Sequence, residues 1–217
     1  DGWSVRPLHS SLGYVLANDE HVVIVFSGTK DIADWLYNLS GDQVRGYGGR
    51  VHSGFASRLE IVWEQLNRIV REARDNDQKL LLTGHSRGGA LASLAARQLE
   101  DAGLRPELIV AFGAPRVGDA GYAANHRLNL YRIENAGDPV PRFPKGQYVS
   151  EGTRLYLSVE GVHTLDGPDD EAANSLGEMA GLAARGAFRL AGGASWQETL
   201  MDELVGRAIA HHGMTSY

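Results

Sequence analysis

No cysteine occurs in the 217-residue sequence. Disulfide scaffolds and thiol nucleophiles are therefore excluded, although this does not fix the compartment. No run approaches the roughly 18 apolar residues that a membrane-spanning helix needs. No basic block stands out, and a formal charge of −6 argues against nucleic acid as the main partner. Internal repeats and domain linkers are absent, and no leader segment is recognisable. The chain starts at Asp1 without Met, so the expected location stays open between secreted and cytoplasmic.

What is present suits a globular chain: 43% hydrophobic and 22% charged residues, the ordinary balance for a packed core. The length accommodates one domain, 1–217, with a substantial buried interior. Val22 to Phe26, Leu80 to Leu82, Leu108 to Phe112 and Leu130 to Ile133 are short apolar runs. Such runs predict strands buried on both faces. Arg154 to Val159 alternates, which predicts an edge strand. After Ser53, the residues Phe55, Leu59, Val62, Leu66, Ile69 and Ala73 recur at three- and four-residue steps with charges between them. That spacing predicts an amphipathic helix. Ala90 to Leu99 predicts another, stopped at Gly103. Strands separated by helices imply an α/β fold with a mostly parallel central sheet flanked by helices.

The stretch Ala172 to Ala194 is rich in Gly and Ala. Its helical pattern is weak, since glycine costs about 1 kcal/mol relative to alanine inside a helix. A firmer helix is predicted from Ser195, where Ser195 and Glu198 form a capping box and Trp196, Leu200, Leu204 and Ala208 share a face. It leads to His211 and His212.

Gly84-His85-Ser86-Arg87-Gly88 fits the pattern G-x-S-x-G, lying between a predicted buried strand and a small-residue helix. A serine on so sharp a turn is lifted clear of the sheet, and glycines two residues to each side remove clashes. The helix N-terminus behind it places the Arg87 N–H towards developing negative charge. The pattern and its context match the nucleophile turn of α/β-hydrolases, in which an acid and then a histidine follow along the chain. Asp138, after the strand ending near Ile133, suits the acid. Chain order disfavours His9, His21, His52, His85 and His126 as the base. His163, His211 and His212 remain open on this ground. The adjacent pair His211–His212 lacks the ligand set of a metal site.

Several segments together resemble the class 3 lipases, the family of the fungal-type triacylglycerol lipases. Phe26-Ser27-Gly28-Thr29 is similar to F-R-G-T/S, and Asp34-Trp35 with Asn38-Leu39 to D-W-x-x-N/D-L. Val51 to Phe55 resembles V-H-x-G-F, and Gly84 to Ala90 resembles G-H-S-L-G-G-A. Phe112 to Gly118 resembles F-G-x-P-R-V-G, and Asp138 to Arg142 resembles D-P-V-P-R. His212 to Tyr217 is similar to H-x-M-x-x-Y. The resemblance implies an α/β-hydrolase with Ser86 as nucleophile, Asp138 as acid and His212 as base. It implies Thr29 and Arg87 as oxyanion donors and a lipid ester as substrate, in some cases at a lipid–water interface; a phospholipase A1, a short-chain or aromatic-acid carboxylesterase and an acyltransferase using the same triad are the alternatives, and acyl transfer by such a triad needs no cofactor. It also implies a lid over the site, for which 31–39 and 172–194 are the candidate segments. Two departures stand out: Ser27 where the family usually has Arg, and Arg87 where it usually has Leu. The paired exchange suggests that the Arg87 guanidinium takes over space or contacts of the missing arginine.

Overall fold

The apolar runs form strands. A computed structural model describes residues 2–29, 42–124, 127–135, 137–158 and 161–165, all within the compact unit Asp1–Ala173. The segments 31–39 and 172–194, the helix predicted from Ser195, and His211 and His212 lie outside the described residues.

Ten strands are found among the described residues: β1 Ser4–Pro7, β2 Gly13–Ala17, β3 His21–Phe26, β4 Gln43–Gly46, β5 Gly49–His52, β6 Lys79–His85, β7 Leu108–Phe112, β8 Leu130–Asn135, β9 Thr153–Ser158 and β10 Gly161–Leu165. Eight of them make one sheet in the order β1-β2-β3-β6-β7-β8-β9-β10, and β4 and β5 form a separate hairpin. Strands β3, β6, β7, β8 and β9 run parallel, while β1, β2 and β10 are antiparallel to their neighbours. The C-terminal ends of β3, β6, β7 and β8 therefore share one edge of the sheet. In an open parallel sheet that edge gathers functional loops.

Arg154 to Ser158 is not at the edge, contrary to expectation, because β10 pairs outside it. Alternation reports one solvated face, not an unpaired side. The interior here is also more charged than the pattern implies. Arg132 and Arg154 both engage the buried carboxylate of Glu134, the latter through Nε at 2.8 Å. The Tyr122 hydroxyl donates to Glu151 Oε1 at 2.9 Å.

Helix α1 (Ser53–Asp75) buries all six residues of the predicted stripe and Val70 besides. Its first turn is capped by His52, whose Nδ1 accepts from the Gly54 N–H at 3.0 Å. It ends in a Schellman turn: Gln78 N–H bonds to the Ala73 carbonyl and Asp77 N–H to that of Arg74, with Asp77 at φ +55. Helix α2 (Arg87–Asp101) ends the same way. Leu104 N–H reaches Leu99 and Gly103 N–H reaches Glu100, and Gly103 takes φ +74 as the predicted stop. Of its fifteen residues, eleven are buried, so α2 is the element round which the core is built. A short helix, α3 (Ala120–Ala124), contributes the fully buried Tyr122.

Candidate active site

Ser86 sits between β6 and α2 with φ 55 and ψ −124. This is a backbone state that a side chain disfavours. Contacts force it. A Cβ on Gly84 would lie 2.4 Å from the Gly88 carbonyl carbon, and one on Gly88 only 2.2 Å from the Phe26 carbonyl oxygen. Glycine is thus required on both sides because strand β3 and the start of α2 press against the turn. The turn is fixed by Ser86 N–H donating to the Phe112 carbonyl at 2.8 Å, while Gly89 and Ala90 N–H return to the Ser86 carbonyl.

The loop after β3 runs beside this turn. Gly28 lies against the His85 carbonyl, which a Cβ at 28 would approach to 3.0 Å. Arg87 Nη2 donates to the Gly28 carbonyl oxygen at 2.7 Å. The hydroxyls of Ser86 and Thr29 are both buried, and neither has a hydrogen-bond partner among the described residues. Two orphaned polar groups on adjoining loops are unusual, since a buried hydroxyl ordinarily finds a partner.

Asp138 follows β8, two strands from Ser86, with Phe112–Gly113 of β7 and its turn between them. Its Oδ1 accepts from the Val140 N–H at 3.0 Å. Its Oδ2 points at Gly113, where a Cβ would lie 2.8 Å from it and 3.5 Å from His85 Nε2. Burial raises the Asp138 pKa, partly offset by the Val140 N–H and by Arg142. A cation forming beside it would reverse that shift and hold the carboxylate ionised. Burial lowers the pKa of His85.

Four of the five sequence-predicted residues, Ser86, Arg87, Thr29 and Asp138, thus come from three loops at one sheet edge. The fifth, His212, lies outside the described residues. His163 falls within β10, paired with Tyr156. In the sheet order that strand lies four strand spacings from β6, about 19 Å at roughly 4.8 Å each. Gly113 was not singled out by the sequence reading. Its signal was present in the Phe112 to Gly118 motif, but only the position of Asp138 explains why a side chain is excluded there. Among the described residues no cluster of three His, Asp or Glu side chains is arranged to hold a metal ion, and no helix is long and apolar enough to cross a membrane.

Comparison with known proteins gives a consistent result. The family profile described as Lipase (class 3) matches residues 23–148. Phospholipase A1-II 4 of Oryza sativa subsp. japonica is 29% identical over 78% of this chain and 53% of its own length. Secreted mono- and diacylglycerol lipase 1 of Fusarium solani is 32% identical over 65% of this chain and 45% of its own. The chain thus spans about half the length of these curated relatives. Among solved structures, lipase II from Rhizopus niveus superposes with a TM-score of 0.67 at 26% identity, covering 74% of this chain and 68% of that one.

Proposed function

The chain belongs to the class 3 lipases, and from that membership and the site geometry we propose that it is a serine hydrolase of lipid carboxylic esters. The observation that carries the reading is Ser86. A serine in a strained strand-to-helix turn, flanked by glycines that contact forbids from changing, is the arrangement that presents a nucleophile. The fold of the Rhizopus niveus lipase supports the same reading.

In this mechanism, His212 takes the Ser86 proton as Oγ attacks the ester carbonyl carbon. The backbone N–H groups of Thr29 and Arg87 receive the oxyanion, and Asp138 orients and stabilises the imidazolium. The tetrahedral intermediate then expels the alcohol, which takes the proton from His212. Water enters, loses a proton to His212 and attacks the acyl-enzyme. Collapse releases the acid and restores Ser86. Each oxyanion donor contributes about 3 kcal/mol to lowering the barrier. No cofactor is required. The segments 31–39 and 172–194 are the candidates for a lid over an apolar acyl site.

The test is hydrolysis of nitrophenyl esters across acyl lengths by the parent and Ser86→Ala. Turnover by the parent, lost in Ser86→Ala, supports the reading. Its length profile separates lipase from short-chain esterase, and parallel assays on phosphatidylcholine separate phospholipase A1. Absence of ester turnover in the parent, or its survival in Ser86→Ala, overturns the reading.

A further inference from the structure

The two proposed oxyanion donors belong to different pieces of chain, and their separation has to be set by something. Strand pairing between β3 and β6 stops at Phe26 and Gly84. The Ser27 N–H still reaches the Leu12 carbonyl at 2.9 Å. Beyond Ser27, the hydrogen bond that ties this loop to the nucleophile turn, among the described residues, runs from Arg87 Nη2 to the Gly28 carbonyl. Arg87 therefore acts in two places: its backbone N–H opens the helix behind Ser86, and its side chain holds the peptide that carries the Thr29 N–H.

Placing a cation here is unfavourable by itself. Burial and the nearby Arg58 charge both lower the Arg87 pKa, and its Nε is buried without a partner among the described residues. For packing alone, leucine would serve better, since it brings no donor to satisfy. What arginine adds is a charged donor on a stem long enough to reach the Gly28 carbonyl, and so a short charge-assisted bond at 2.7 Å. By the resemblance of Phe26 to Thr29 to F-R-G-T/S, Ser27 stands where that motif carries an arginine.

We propose that the Arg87 guanidinium is a positioning residue that fixes the Thr29 N–H by holding the Gly28 carbonyl. The inference rests on the proposed function, in which the Thr29 and Arg87 N–H groups receive the oxyanion. Removing the side chain leaves the Arg87 N–H in place and loosens only the loop. Misplacing a catalytic group by about 1 Å costs on the order of 100-fold in rate.

The experiment is steady-state ester hydrolysis by the parent, Ser86→Ala, Arg87→Leu, Arg87→Lys and the double variant Ser27→Arg with Arg87→Leu, with Tm measured for each. Arg87→Leu should lose about 10- to 100-fold in kcat with KM within about threefold of the parent. Arg87→Lys should recover most of that loss, and so should the double variant if the exchange is compensatory. The proposal is overturned if Arg87→Leu keeps kcat within about twofold, or if Arg87→Lys is as impaired as Arg87→Leu. Should Arg87→Leu not fold, the Arg87→Lys and Arg87→Gln pair decides by the same comparison. Full turnover in Ser86→Ala would instead remove the underlying hydrolase reading, whatever the Arg87 variants do.

Discussion

Gly113 and Asp138 compete for one space: a methyl group on Gly113 would stand 2.8 Å from Asp138 Oδ2. Gly113 also holds φ +50. The Gly113→Ala variant should therefore lose only about 1 kcal/mol of stability, since the carboxylate can swing aside. Its kcat should fall on the order of 100-fold as the acid leaves its place. Urea titration and ester kinetics measured together check this. Unchanged kcat would show that the position of Asp138 does not matter to turnover.

Gly88 presents the opposite case, because the obstructing atoms are backbone. A Cβ there meets the Phe26 carbonyl at 2.2 Å, and neither strand β3 nor helix α2 can shift without disturbing the core. Gly88→Ala should cost about 3 kcal/mol or more. A shift in the urea midpoint corresponding to less than about 1 kcal/mol would refute the contact as drawn.

Glu151 sets a pH dependence. Burial pushes its pKa from 4.5 up to about 7, against the Tyr122 hydroxyl bond and the Arg132 charge, which pull it down. In that interval the folded protein holds a proton that the unfolded chain has released. Stability should therefore decline as pH rises from about 4.5 to 7 and level off above, by about 3 kcal/mol at most. Burial of Asp138 acts with the same sign. Urea midpoints from pH 4 to 8 on the parent and Glu151→Gln test this, and an equal slope in the two proteins would rule out Glu151 as the source.

His52 is buried at the start of α1, with its ring centroid 4.7 Å from that of Phe55. Its role as an N-cap predicts that His52→Asn is more stable than His52→Ala by about 1 kcal/mol, because asparagine keeps an acceptor for the Gly54 N–H. Equal stabilities would mean that the ring contacts alone account for the residue.

The parallel half of the sheet was legible in sequence because strands buried on both faces leave continuous apolar runs, as at Val22 to Phe26 and Leu108 to Phe112. The stripe of α1 was legible for a related reason: one buried face imposes a 3.6-residue period. Strand β1 was not, since it is exposed throughout and carries no burial pattern. The charged interior round Glu134 and Glu151 also escaped, because Arg132 and Arg154 read as solvent-facing until each finds its carboxylate or carbonyl partner. At the candidate site, Ser86 was announced by flanking glycines whose cause is steric and local. Asp138 was marked by its place after a strand, by order along the chain and by the resemblance of Asp138 to Arg142 to D-P-V-P-R, and the Arg87 side chain by its departure from the family pattern. The bond from Arg87 to Gly28 joins residues 59 apart in sequence, a relation that no local spacing records.

The positive φ of Ser86 has a consequence for descent as well as for chemistry. Glycine at 86 would shed the hydroxyl and relieve a backbone state worth about 1 kcal/mol or more, so the inert form would be the sturdier one. Gly84 and Gly88 would gain nothing by changing, since contact and not conformation holds them. In a lineage released from selection for turnover, position 86 should drift to glycine while its flanking glycines persist. Three alternate glycines in that turn would then be the mark of a relative that kept its fold and retired its nucleophile.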